Sequence, residues 1–238
     1  MIITFQGLQK FQMSFRILHA VKVEYFSAGY FRKLSEMADK IQENLPSEDG
    51  WHVSPVSPMK IVDLFPSVWI REDFVLHAYV FRKGGNGSGI VYAIPEDEEF
   101  PEPDKCEFLN DVLRTPKPAG ALDFRSVMDG DGSPLSYISA SILTRELQEF
   151  GALWHGCRWK HHKIVGGRRK SWDEFEWLRE IRNFRPRVIS SESTAVEFFT
   201  YTEHTARSVW LNRDRYFSGY LFESEAEIVA RGGVEYIV

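Results

Sequence analysis

The sequence predicts an α+β fold with mainly antiparallel sheet, about three helices and a C-terminal β-meander. Three observations carry this reading. Strand-like and helical stretches do not alternate regularly, as a doubly wound parallel sheet requires, and no G-x-G-x-x-G follows a strand. A glycine-rich segment joins two β-branched, aromatic runs in the manner of a hairpin. After Pro186, apolar runs follow one another over short connections, which is the pattern of a meander.

The elements follow in order. Residues 15–25 alternate, with Phe15, Ile17, His19, Val21, Val23 and Tyr25 on one face and Arg16, Lys22 and Glu24 on the other. That is a half-buried strand. Ser27 precedes Phe31, Leu34, Met37, Ile41 and Leu45, apolar positions at helical spacing that stop at Pro46. Val68 to Phe81 is a strand run, GGNGSG (84–89) a longer glycine loop, and IVYAI (90–94) the returning strand. The clearest helix is bracketed by Ser133 as N-cap, Pro134 at the first helical position and Gly151 just past the end. Leu135, Ile138, Ile142, Leu147 and Phe150 form its stripe. Another helix is expected from Ser171, where Glu174 completes a capping box and Phe175, Leu178 and Ile181 continue the pattern. Strands are then expected at 194–202, 207–211, 216–222 and 234–238, joined by connections such as EHTA and RGG.

Prolines punctuate the chain in two clusters, Pro46 to Pro66 and Pro95 to Pro118. The second holds PEDEEFPEPDKCE (95–107), seven acids against one lysine. This places an acidic loop or linker over 96–120, between an N-terminal α+β part (1–95) and a C-terminal one (121–238), unless the whole forms one domain.

Composition narrows the function classes. Forty-three per cent hydrophobic and 26% charged residues describe a globular chain, not a disordered or collagenous one. Cys106 and Cys157 cannot make a disulfide framework, which points to a reducing compartment. The N-terminus lacks the pattern of a signal peptide and no stretch is apolar enough to span a membrane, so a cytoplasmic, non-membrane protein is expected.

One stretch stands apart. Residues 154–187 read WHGCRWKHHKIVGGRRKSWDEFEWLREIRNFRPR. Over 158–187 there are ten Lys and Arg against four acids, in a chain whose net charge is −5. Such a patch concentrates anionic partners even on an acidic protein. Lys160, Lys163, Arg168, Arg169 and Lys170 are candidates to neutralise phosphates, and Trp159 and Trp172 to stack on unpaired bases. The leading expectation is a non-catalytic protein that binds nucleic acid or another polyanion here, without a cofactor. The competing structural reading makes the aromatic residues core and the loop a solvated basic one.

A second class of function uses the same stretch. His155, Cys157 and His161 lie on one side of an extended chain, with His204 able to join from the C-terminal strands, and such donors suit zinc with an open position. Cys157 near positive charge is alternatively a thiolate nucleophile. The spacing H-x-C-x3-H matches no known structural zinc pattern, however. A third class is a protein-interaction module that docks through exposed aromatics. Other signals fall short. GGRRKS lacks the glycines of a P-loop, and DGDGS (129–133) lacks the glycine and glutamate of a calcium loop. The adjacent carboxylates at 96–99 are a solvated run and not a spaced catalytic pair, while His19 and His77 read as core histidines.

Overall fold

A computed structural model describes residues 20–110, 112–204 and 206–233. In chain order the elements are β1 (Lys22–Tyr25), α1 (Ala28–Ile41), β2 (Gly50–Val53), α2 (Met59–Val62), β3 (Val68–Ile70), β4 (Phe74–Lys83) and β5 (Asn86–Pro95). They continue with β6 (Glu107–Phe108), β7 (Pro116–Lys117), β8 (Leu122–Asp123), β9 (Met128–Gly130), α3 (Pro134–Gln148), β10 (Lys163–Val165) and β11 (Glu176–Trp177). The last four are β12 (Arg187–Ser190), β13 (Thr194–Thr202), β14 (Ser208–Ser218) and β15 (Leu221–Arg231). The fold is α+β with three helices among the described residues, and its sheets are antiparallel.

The large sheet runs β1-β12-β13-β14-β15-β11, with β10 also paired to β13. A smaller sheet runs β2-β4-β5-β8, and two-stranded pairs join β3 to β9 and β6 to β7. Helix α3 sits between the large and small sheets, packed on α1, α2, β5, β12 and β13. The sequence predicts one apolar stripe on this helix, yet its polar side is buried too, at Ser136, Ser139, Ser141, Thr144 and Glu146. Small hydroxylated side chains let the neighbouring elements approach the helix closely. Its ends are as expected: Ser133 Oγ accepts from Ser136 N at 3.2 Å, and Gly151 takes the left-handed φ of 71°.

Helix α1 starts where Ser27 Oγ accepts from Tyr30 N, and it buries Phe31, Leu34 and Ala38 in the main core. The predicted strand at 15–25 is described only in part, as β1, because residues 15–19 lie outside the described residues. Those at 234–238 lie outside as well.

Three expectations are corrected. The glycine loop is shorter than the sequence suggests: only Gly84 and Gly85 turn, both at positive φ, while Asn86–Gly89 pair with Phe81–Lys83 and Val80 inside the hairpin. The Val68–Phe81 run breaks into β3 and β4, which belong to different sheets. No helix starts at Ser171. Lys170–Trp172 is a single 3-10 turn and Glu176–Trp177 joins the sheet as β11, where Leu178 N donates to Val229 O at 3.0 Å. Edge pairing to β15, with Trp172, Phe175 and Phe184 buried on the sheet, outweighs the capping signal.

The C-terminal meander is longer than its apolar runs. The polar bridge Asn212–Arg215 extends the predicted strand at 207–211 to Ser218, whereas the one predicted at 216–222 is broken by the turn at Gly219–Tyr220, where Gly219 takes a φ of 51°, so that β14 and β15 form one long hairpin. The polar bridge is paid for by cross-strand charge: Glu197 lies between Arg187 and Arg213, and Arg215 meets Glu225 at 2.7 Å.

Candidate anion-binding site

Strands β13 and β14 present two faces by the alternation of their side chains. Phe199, Tyr201, Val209 and Leu211 face one core, and Phe198, Thr200, Trp210 and Asn212 face the other way. The stretch 154–187 wraps this sheet. Residues 157–162 cover the second face, β10 runs along the edge of β13, and 172–184 cover the first. The chain thus crosses from one face to the other at Lys163–Val165, which separates the cations that the sequence groups together.

The two tryptophans expected to stack on bases are interior. Trp172 is 0% exposed and touches Phe175, Trp177, Phe184 and Tyr201. Trp159 is buried too, its Nε1 donating to Glu146 Oε1 at 2.7 Å. Neither ring has a free face for a base. Arg169 lies over Trp172 and Tyr201, and Arg168 lies over Trp177 and pairs with Asp173 at 3.5 Å. Lys170 is exposed nearby. Lys160 reaches Asp39 at 3.5 Å and Gln42 at 3.4 Å. Lys163 is exposed on β10.

A pocket of about 430 Å³ opens where 157–162 meets the ends of β13, β14 and β15. Its wall carries Cys157, Arg158, His161 and His162, and its floor Thr202, Ser208, Trp210 and Ile228. Arg207 and Arg231 close the far side with His204. The register explains why these residues share a face. Ser208 opposes Arg231, but a β-bulge makes Trp210 oppose Ile228, leaving Val229 unpaired. The extra residue brings Ile228 and Arg231 to the same side, three positions apart. Arg158 and Arg231 are the cations of this pocket, because the Arg207 guanidinium lies over Phe175 with Nε donating to Gly233 O at 3.4 Å, and among the described residues no carboxylate lines the pocket.

His161 and His204 stack face to face, with centroids 4.0 Å apart and planes within 4°. This pair is a partition, for on its other side Lys160, Lys163, Tyr201 and Glu203 line a second concavity of about 300 Å³. Nε2 of His161 is buried and has no hydrogen-bond partner among the described residues. His162 turns inward, Nδ1 at 2.9 Å from Thr200 Oγ1, and burial holds its pKa down at about 4, aided by His161 and Arg145. It is therefore neutral at pH 7.

The wall is held from behind by Glu149. Its Oε1 accepts from Arg158 N at 2.8 Å and from Trp159 N, and Oε2 accepts from Lys160 N at 3.0 Å. Backbone donors that an anionic ligand would otherwise use are thereby occupied, so ligand recognition falls to side chains.

The proposed zinc ligands are not assembled. Among the described residues no group of three or more His, Cys, Asp or Glu is placed to hold a metal ion. Cys157 and His161 line the pocket, but His155 does not, lying exposed beside Trp154. The parallel stack also sets the His161 and His204 rings face to face, an orientation unlike that of two ligands on one ion. Burial pushes the Cys157 thiol up, with Lys160 opposing, which is the reverse of what a thiolate nucleophile requires. Sequence reasoning missed Arg207, Arg231 and Trp210, since their nearness to residues 157–162 depends on strand pairing alone. Among the described residues no helix is long and apolar enough to cross a membrane. No protein-family model, curated protein or solved structure matches this chain.

Proposed function

We propose that the protein is a non-catalytic binding protein for a phosphate-bearing anionic partner, nucleic acid by class, held at the pocket of Arg158 and Arg231. One observation carries the reading: Arg158 and Arg231 line a single concavity that no described carboxylate lines. Arginine suits phosphate because its planar fork donates paired hydrogen bonds to two oxygens. Lys160 and Lys163 extend the positive surface beyond the histidine stack. In this reading Trp159 and Trp172 support the site from the interior, and Arg168, Arg169 and Lys170 act on the far side of the sheet.

The test is fluorescence anisotropy with labelled single-stranded DNA and RNA at three salt concentrations. Binding is expected to weaken linearly in log–log form, with a slope equivalent to about three phosphates. Arg158→Glu and Arg231→Glu together are expected to abolish it, whereas Arg168→Glu with Lys170→Glu leaves most of it. Absence of binding at low salt overturns the proposal.

A further inference from the structure

We infer that the arginine pocket receives the terminal phosphate monoester of a nucleotide or of a nucleic-acid strand, and not an internal phosphodiester. This inference rests on the anion-binding reading above and assigns its chemistry.

Shape comes first. An internal diester runs on in both directions and needs an open groove, while a strand end needs a pocket for one unit. The cavity of about 430 Å³ is within the range of small-molecule sites. Charge agrees with shape. A diester carries one negative charge, but a monoester carries about −1.5 to −2 at neutral pH and offers three terminal oxygens. Two arginines at one cavity, Arg158 and Arg231, match the charge of the second better than that of the first.

The remaining walls suit what is attached to such a phosphate. Trp210 and Ile228 form an apolar floor beside Ser208 and Thr202. Trp210 is held in place by its Nε1 bond to Ser208 Oγ at 2.8 Å and by the edge of His162. Neutral His162 adds no charge to this floor. Across the histidine partition, exposed Lys163 is placed for the next phosphate along a strand, in a concavity it shares with Glu203 and with Lys160, which already reaches Asp39. The buried Nε2 of His161, without a partner, lies in that partition.

The experiment compares labelled oligonucleotides of one sequence bearing a 5′-phosphate, a 3′-phosphate or hydroxyls at both ends, with a nucleoside 5′-monophosphate and inorganic phosphate as competitors. One phosphorylated end is expected to bind at least tenfold more tightly than the hydroxyl form, and the monophosphate to compete. Which end binds, and whether the free monophosphate suffices, separates a strand receptor from a nucleotide receptor. Arg158→Gln, at an exposed position, is expected to erase the preference for the phosphorylated end. Lys163→Gln is expected to weaken all strands alike and keep it. Equal binding of the three oligonucleotides overturns this inference and leaves the anion reading standing. No binding by any probe overturns both.

Discussion

Glu146 joins the interior to the pocket wall. Its carboxyl is buried on α3, accepts the Trp159 indole N–H, and is pushed by burial to a pKa of about 7. The Trp159 hydrogen bond and the charge of Lys160 pull the other way, while Asp39 adds to the rise. Because the folded value lies above the ordinary 4.5, the folded state holds this proton more tightly than the unfolded chain. Its contribution is therefore most favourable below about pH 4.5, declines as pH rises to about 7, and is flat above. Glu146→Gln retains an acceptor for Trp159 and removes the charge. It is expected to abolish this decline and to raise stability at pH 8 by on the order of 2–3 kcal/mol. Urea unfolding of both proteins from pH 4.5 to 8 measures it; parallel curves would refute the argument.

At the scale of elements, the 154–187 strap is fixed at both ends by different forces. Its first part hangs on the three backbone donors gathered by Glu149. Glu149→Ala leaves them without that acceptor, with an expected loss of about 2–3 kcal/mol and weaker phosphate binding through a loosened wall. Its second part is held by packing around Trp172. Trp172→Ala is expected to cost about 3–5 kcal/mol. Trp172→Phe, by contrast, should leave phosphate affinity unchanged in the anisotropy assay, because the ring faces the core. A selective loss of nucleic-acid binding in a folded Trp172→Phe protein would return the indole to the binding surface.

At the scale of the molecule, the large sheet and the central helix are joined by an ion pair. Arg145 of α3 meets both carboxylate oxygens of Asp214 at 2.7 Å, and Asp214, which is 0% exposed, also accepts from Ser224 Oγ at 2.6 Å. Arg145→Met strands a buried carboxylate and is expected to destabilise by about 3–5 kcal/mol in chemical denaturation. The double variant Arg145→Met, Asp214→Leu should recover much of that loss, since no buried charge remains; failure to recover would mean that the pair supplies more than mutual neutralisation.

What could be read from residues alone was local. Ser27, Ser133, Pro134 and Gly151 bracket α1 and α3 because capping bonds and backbone preferences act within a few positions of chain. The β-branched and aromatic run TAVEFFTYT marks β13 with its observed ends. The false helix at Ser171 shows where such signals stop: its capping pattern is sound, but pairing with β15, over fifty residues away, decides the backbone. The same limit governs function. Sequence alone determined the fold class and that positive charge concentrates after residue 157. Only the tertiary structure decided which cations share a cavity. It sent Arg168 and Lys160 to opposite sides of the sheet and brought Arg231 to Arg158, because register, a bulge at Val229 and the crossing at β10 are long-range pairings that no local pattern encodes.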